Sequence, residues 1–250
     1  MTDLEYCIER LAAANGGKRF PATSQEEELR ALMNVTMPFD LEEEYYERQG
    51  KVLGSILARK KITRAEDLPE IRRGISLWRG DITLLAAEAI VNAGNARLLG
   101  CFAPLHLCID NAIHSFAGLE VRRDLMAMMA AQGGEEPNGS CKVTKAYNLP
   151  SKYIFHTVGP IYSGIGKDLS DLASCYRSCL EKAEEMGLES IAFCSISTGV
   201  FGFPIERAAE IAVKTVLSEL SDKNNVKKVI FCVFSERDES VYARTLARLV

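Results

Sequence analysis

Residues 92–118 read NAGNARLLGCFAPLHLCIDNAIHSFAG, and the way this stretch joins its neighbours decides the fold. Before it lies the apolar, strand-like run 88–93 (EAIVNA), and the sequence beyond it is helical in pattern. A strand that passes through a polar, glycine-bearing loop into a helix is one step of an α/β chain. The loop at the carboxyl end of such a strand is where α/β folds hold their ligands.

The same texture runs outward to the carboxyl end. From residue 74, strand-like runs at 75–80, 88–93, 142–148, 153–159, 190–197 and 226–235 alternate with helical candidates at 107–117, 119–131, 169–187, 204–221 and 236–249. Fully apolar runs such as IAFCSI predict a largely parallel sheet buried on both faces. The pair 142–159, parted only by Leu149-Pro150-Ser151-Lys152, predicts an antiparallel hairpin inside it. Towards the amino end, residues 1–15, 24–36 and 41–60 read as three helices. The first stops near Asn15-Gly16-Gly17, and the second has Ser24 and Glu27 at capping-box spacing. In the third, Leu41, Tyr45, Val52, Ile56 and Leu57 are available for one face, and Glu42 to Glu44 suit the start of a helix dipole. Residues 1–73 are too thin in apolar content for a domain of their own and are expected to pack on a main domain at 74–250.

Composition narrows the function classes. With 250 residues, 47% of them hydrophobic, the chain has apolar material for a full core without disulfides or metal. A net charge of −4 speaks against a duplex DNA binder, which normally shows a basic face. No apolar run approaches the roughly 18 residues of a membrane span, and the amino terminus lacks a basic region followed by an apolar one. A cytoplasmic location with reduced thiols follows. Cys7, Cys141, Cys175, Cys179, Cys194 and Cys232 are accordingly expected as buried small hydrophobes.

Three stretches can carry chemistry. Gly80-Asp81-Ile82-Thr83 follows the strand that holds Trp78; its acid is either a helix cap or a partner for a nucleotide base or ribose. Ser195 to Pro204, with Gly199 and Gly202 among small hydroxyls, joins a strand to a helix, where backbone N–H groups can wrap a diphosphate. It fits neither the Walker A nor the GxGxxG pattern. Phe201 between those glycines is either a core residue or a platform for a sugar or base. The third stretch is Cys101-x4-His106-x-Cys108. Two thiols and an imidazole suit zinc, and three ligands leave a fourth position open, as in catalytic sites. Buried cysteines beside a satisfied histidine, or a reactive thiol paired with His106, are the alternatives. Asp110 either caps the helix that follows or serves the same site as general base. His114, four residues on, shares its helix face and reads first as a packed core histidine, as does His156 within its strand.

Taken together, in order and spacing, Gly80-Asp81-Ile82-Thr83, Ile90-Val91-Asn92-Ala93-Gly94-Asn95, Leu98-Leu99-Gly100, Asp110-Asn111-Ala112-Ile113-His114 and Ser197-Thr198-Gly199-Val200-Phe201-Gly202-Phe203-Pro204 resemble the macrodomain signature. Cys101, His106 and Cys108 stand where most macrodomains carry a glycine-rich segment. This is similar to the zinc-dependent macrodomains that some microbes carry beside a sirtuin-type ADP-ribosyltransferase, whose helical preamble the first 73 residues also resemble. The resemblance implies a three-layer α/β/α fold around a mixed sheet of about six strands. It implies ADP-ribose as ligand and removal of mono-ADP-ribose from protein side chains as activity. By the same resemblance, Asp81 and Ile82 meet adenine, with Phe234 against its ring. Asn92 and Asn95 serve the distal ribose, with Phe201 near it, and Asn95 joins Asp110 as a catalytic residue. Residues 197–202 take the diphosphate: Ser197, Thr198, Gly199, Val200, Phe201 and Gly202. Cys101, His106 and Cys108 hold one zinc per chain, and Asp110 lies next to the scissile bond. A sirtuin-type ADP-ribosyltransferase and a lipoyl-carrier-like target protein are the implied partners. Gly94 departs from the alanine usual in the family; glycine loosens the turn expected there without removing a functional group.

The chemistry of the residues agrees. Release of ADP-ribose from a side chain breaks a bond at an anomeric carbon through an oxocarbenium-like transition state. That reaction needs an activated water and an oriented sugar. An ADP-ribose-binding module without turnover and an O-acetyl-ADP-ribose deacetylase use the same pocket and are the competing readings.

Overall fold

The computed structural model of the protein describes residues 1–72, 74–221 and 224–249. Arg73, the last residue of the expected amino-terminal extension, and Val250, at the end of the expected main domain, lie outside the described residues, as do Asp222 and Lys223. Three helices come first: α1 (Asp3–Ala14), α2 (Gln25–Val35) and α3 (Glu43–Ala58). Ser24 caps α2, its hydroxyl accepting from the Glu27 N–H at 3.2 Å. The expected box does not close on Ser24, because the Glu27 carboxylate accepts instead from the N–H and hydroxyl of Thr23. The strands follow as β1 (Thr63–Arg64), β2 (Ile75–Arg79), β3 (Leu85–Ala86), β4 (Ala89–Gly94), β5 (Cys141–Lys145), β6 (Tyr153–Val158), β7 (Ser190–Phe193) and β8 (Lys228–Val233). Between and after them lie α4 (Ile109–Ala117), α5 (Leu119–Gln132), α6 (Gly166–Glu185), α7 (Ile205–Leu220) and α8 (Glu236–Leu249).

Six strands form one sheet in the order β2-β8-β7-β4-β6-β5. Every neighbouring pair is parallel except β5 with β6, the expected hairpin. The apolar runs of β6, β7 and β8 are buried almost throughout, as strands covered on both faces must be. Helices α6, α7 and α8 pack side by side as one layer, while α4 and α5 pack together in the other. The result is a three-layer α/β/α arrangement around a mixed six-stranded sheet. The small β1–β3 pair has no sequence signal, since two residues are too few to show a period. Cys141 departs from the expected burial: it lies on the edge strand β5 and is only half-buried, whereas Cys7, Cys175, Cys179, Cys194 and Cys232 are buried. No helix among the described residues is long and apolar enough to cross a membrane.

The amino-terminal helices bury their own apolar cluster, including Leu11, Leu29, Leu32, Tyr45 and Leu53, and this cluster reaches the main body through Leu119 of α5. Ala65 and Leu68, further along, already belong to the main core. What ties the two together is polar. Arg122 of α5 is 1% exposed, and its guanidinium donates to the carbonyls of Met33 (2.7 Å), Asn34 (3.1 Å) and Thr36 (2.5 Å) at the end of α2. It also donates to Leu99 O (2.7 Å) in the loop after β4. The last carbonyls of a helix have no partner within it, so one buried cation satisfies three groups that would otherwise be stranded. Burial lowers its pKa to about 10, which leaves it charged at neutral pH.

A second buried polar group sits inside the sheet. The register of β4 on β6 sets Asn92 opposite His156, which is wholly buried. Asn92 Nδ2 lies 3.2 Å from His156 Nδ1. An amide nitrogen can only donate, so the imidazole proton is on Nε2 and is given to Thr144 Oγ1 at 2.9 Å. Burial pushes the His156 pKa down to about 3 and that of buried His114 well below its ordinary value.

Arg122→Met keeps the aliphatic stem but strands buried carbonyls, each worth roughly 1–3 kcal/mol when left unpaired. The expected outcome is a steep fall in melting temperature together with faster proteolysis between α3 and β2. For the histidines, the unfolded chain takes up protons near pH 6.5 while the folded chain refuses them, so stability is full above that pH and declines as pH falls towards 3. Asp110, raised to about 6, offsets part of this, since a carboxyl that holds its proton more tightly in the fold gains stability between pH 6 and its unfolded value. Urea midpoints at pH 7 and pH 5 check the balance: the wild type loses stability, and His156→Gln loses less.

Candidate functional site

The carboxyl ends of the parallel strands open on one cleft of about 1500 Å³. Its walls are the loop after β4, the loop after β7, the ends of β2 and β8 and, from outside the sheet, Arg30 of α2.

The loop after β4 is shaped by its own polar groups. Asn95 Oδ1 accepts from the Arg97 N–H at 3.0 Å and its Nδ2 donates to Gly100 O at 3.1 Å, closing a turn that puts Leu98 at φ 56°. Gly100, at φ 89°, lets the chain pass against the Arg122 guanidinium and the His114 ring, which lie 3.0–3.1 Å from where a Cβ would stand. Gly94 does not serve a turn. It ends β4 without a left-handed φ, and a Cβ there would press on Leu98 Cδ2 at 3.1 Å.

Beyond Gly100 the ligand-capable side chains converge. One donor atom from each of Cys101, His106 and Cys108 lies within 4.8 Å of the others, and Cys101 Sγ is 3.6 Å from His106 Nδ1. Cys108 is also the N-cap of α4, its sulfur accepting from the Asn111 N–H at 3.4 Å. Burial pushes the Cys108 thiol up to about 11, which makes it a poor free nucleophile at neutral pH. Two sulfurs and one imidazole nitrogen gathered at this range, from a half-open loop, fit a zinc ion with one face left over.

Asp110 is not the cap, since Cys108 holds that place. It sits in the first turn of α4, 5% exposed, with its carboxylate turned into the cleft wall. Asn92 Nδ2 donates to its Oδ1 at 2.8 Å, and His114 Nε2 is 3.4 Å from the same oxygen. Burial raises its pKa to about 6 against the opposing pull of Asn92 and Arg122. A carboxyl poised there can both take and give a proton near neutral pH. Asn92 itself does not line the cleft. It is 1% exposed, and its two amide hydrogens are taken by Asp110 and His156. It therefore stands behind the acid rather than at the cleft surface.

The loop after β7 offers donors. Ser197, at φ 66°, accepts from the Phe203 N–H through its carbonyl at 3.0 Å, and Gly199 O accepts from the Gly202 N–H at 3.0 Å. Within this wrap the N–H groups of Gly199, Val200 and Phe201 meet no acceptor among the described residues. Ser197, Thr198, Gly199, Val200 and Phe201 line the cleft, whereas Gly202 does not. Gly159, after β6, allows the close approach: a Cβ there would lie 2.1 Å from Ser197 Oγ. Phe201 is half-exposed, Phe234 is 82% exposed, and both face the cleft. Asp81 does cap a short turn, its Oδ1 accepting from the Thr83 N–H (2.9 Å) and hydroxyl (2.7 Å). Its second oxygen is left for the cleft, which Ile82 also lines.

Sequence reasoning missed Arg30, which projects from α2 over the Phe116 ring at 5.5 Å with its Nε–H buried and unpartnered. No local pattern marks a residue whose contacts lie some eighty positions away. It also missed Ile161, 68% exposed beside the cleft; its place just past the end of β6 was a usable signal.

This geometry has relatives. The sequence profile described as Macro domain matches residues 91–212. A Treponema medium protein named protein-ADP-ribose hydrolase is 46% identical, the match covering 97% of each chain. Among solved structures, the Oceanobacillus iheyensis macrodomain with ADP is 40% identical with a TM-score of 0.67, over 73% of this chain and 95% of that one. The Trypanosoma brucei macrodomain in complex with ADP-ribose is 32% identical with a TM-score of 0.64, over 95% of this chain and 94% of that one. A strand-end cleft with free backbone donors, and relatives this similar over this much of their length, lead to one conclusion: the chain belongs to the Macro domain family.

Proposed function

We propose that this protein is a zinc-dependent hydrolase that removes mono-ADP-ribose from modified protein side chains. The observation that carries the reading is the meeting, in one cleft, of unpaired N–H groups at 199–201, a buried carboxyl and a Cys-His-Cys set. The ligand and activity follow the relatives' names and the fold they share with this chain.

Each residue has a task in this reading. Asp81 and Ile82 receive adenine, with Phe234 against its ring. Ser197, Thr198, Gly199, Val200 and Phe201 wrap the diphosphate, whose charge falls on backbone donors, and Gly202, assigned to the same loop, closes the wrap from outside the cleft by donating to Gly199 O. Asn95 and Phe201 bound the distal ribose, and Asn92 acts there through the acid that it holds. Asp110 is the proton acceptor for the attacking water. With Oδ1 held by Asn92, its Oδ2 is the atom that moves the proton. Cys101, His106 and Cys108 hold one zinc, which when bound supplies Lewis acidity for an oxygen at the sugar end. The division at residue 73 belongs to the same proposal: residues 1–73 are an extension clamped to a catalytic domain at 74–250. Thiol ligands work only when reduced, which supports a cytoplasmic setting. The resemblance to sirtuin-linked macrodomains supports a sirtuin-type ADP-ribosyltransferase as the partner that writes the mark and a lipoyl-carrier-like protein as its bearer.

Purified protein is expected to carry one zinc per chain, and a chelator is expected to abolish release of ADP-ribose from a modified carrier protein. Full turnover by metal-free protein sinks the zinc reading. Asp110→Asn is expected to lower turnover by about 100-fold or more while calorimetry still records ADP-ribose binding. Binding without release by the wild type selects the reader module, and preference for O-acetyl-ADP-ribose selects the deacetylase.

A further inference from the structure

Loop 101–108 carries the three ligands, yet it has no regular structure apart from two bends and a turn. Its backbone is fixed from outside, and two of the fixing groups come from the amino-terminal helix α2. Asn34, 1% exposed, accepts from the Leu105 N–H through Oδ1 at 2.9 Å and donates from Nδ2 to Ser115 Oγ of α4 at 2.9 Å. One helical turn earlier, Arg30 Nη2 donates to Asn111 Oδ1 at 2.9 Å and reaches His106 O at 3.4 Å. Asn111 in turn donates to Ala103 O at 3.0 Å.

The grip falls on a strained point. Leu105 stands at φ 57°, where a leucine goes only when its surroundings hold it. It immediately precedes His106, whose N–H donates to Ala103 O at 3.2 Å and whose ring is turned back towards Cys101. The left-handed kink at Leu105 is what folds His106 over the cysteine, and Asn34 is bonded to the kink itself.

We propose that Asn34, seconded by Arg30, is a positioning residue for the Cys101-His106-Cys108 set, so that the amino-terminal helices complete the metal centre without touching the metal. This rests on the zinc reading above. Outer groups that orient metal ligands typically contribute 10- to 100-fold to affinity. The surrounding core keeps α2 in place through Leu29, Leu32 and Arg122, which lets the fold survive loss of the amide.

The test measures zinc affinity by chelator competition, and the absorption of the cobalt(II)-loaded protein, on the full chain. Asn34→Ala is expected to weaken zinc binding about 10- to 100-fold and to reduce the thiolate-to-cobalt band, with unchanged circular dichroism. Leu105→Gly, which adopts a positive φ freely, is expected to recover most of that loss when combined with Asn34→Ala. Should Asn34→Ala fail to fold, Arg30→Gln reads the same anchor at His106 and is expected to weaken zinc binding several-fold. Wild-type affinity in a folded Asn34→Ala, or in Arg30→Gln where that variant stands in, overturns the positioning role. So does a double variant no tighter than Asn34→Ala alone. A parent protein that takes up no zinc removes the zinc reading itself, a result distinct from a parent that binds and an Asn34 variant that binds equally.

Discussion

One buried guanidinium organises the molecule. Arg122 is held by no carboxylate. Its partners are carbonyls: three where α2 runs out of helical donors and one on the loop that leaves the central strand β4. A cation taken this far from water persists only if its donors are used, and the carbonyls at a helix end are acceptors that need such a donor. Each side therefore satisfies the other, and the contact fixes a helix and a loop at once. Its ring contact with Phe102, 4.6 Å from the guanidinium carbon, extends the same hold to the residue beside Cys101. The end of α2 and the start of the thiol loop are thus set by one side chain that does not line the cleft.

Behind the cleft runs a second buried chain of polar contacts, Thr144 to His156 to Asn92 to Asp110. Because the register of β4 on β6 is set by the sheet, the orientation of the Asp110 carboxylate is inherited from strand pairing. A side chain on a mobile loop could not be held as firmly. The acid has its raised affinity for a proton because the same packing removes water from it.

The layered architecture was legible because its strands obey simple rules. Runs such as VIFCV and IAF are apolar at every position, which only a doubly covered parallel sheet explains, and Pro150 with its neighbours marks the hairpin. The cleft was legible for the same reason: its loops follow strands, and their residue types announce donors and ligands. Three things were not legible. Arg122, Arg30 and Asn34 act across separations of some seventy to ninety residues and resemble any helix surface residues. The seat of Asn92 behind the acid depends on strand register, which no local pattern reveals. The exact N-cap of α4 fell to Cys108 because a sulfur can accept from a helix N–H as an oxygen does, a role the sequence reading had offered to Asp110.

The free N–H groups at 199–201 carry a kinetic consequence. Backbone N–H groups bind an anion by short-range fit, and these lie on a protein whose net charge is −4. A phosphate-bearing ligand is therefore not drawn in from a distance by an opposite field, and its arrival is governed by diffusion and orientation. Raising ionic strength screens a mild mutual repulsion and leaves the close contacts alone. Capture here is accordingly indifferent to salt or slightly helped by it, opposite to the behaviour of proteins that grip polyphosphate chains through lysine and arginine.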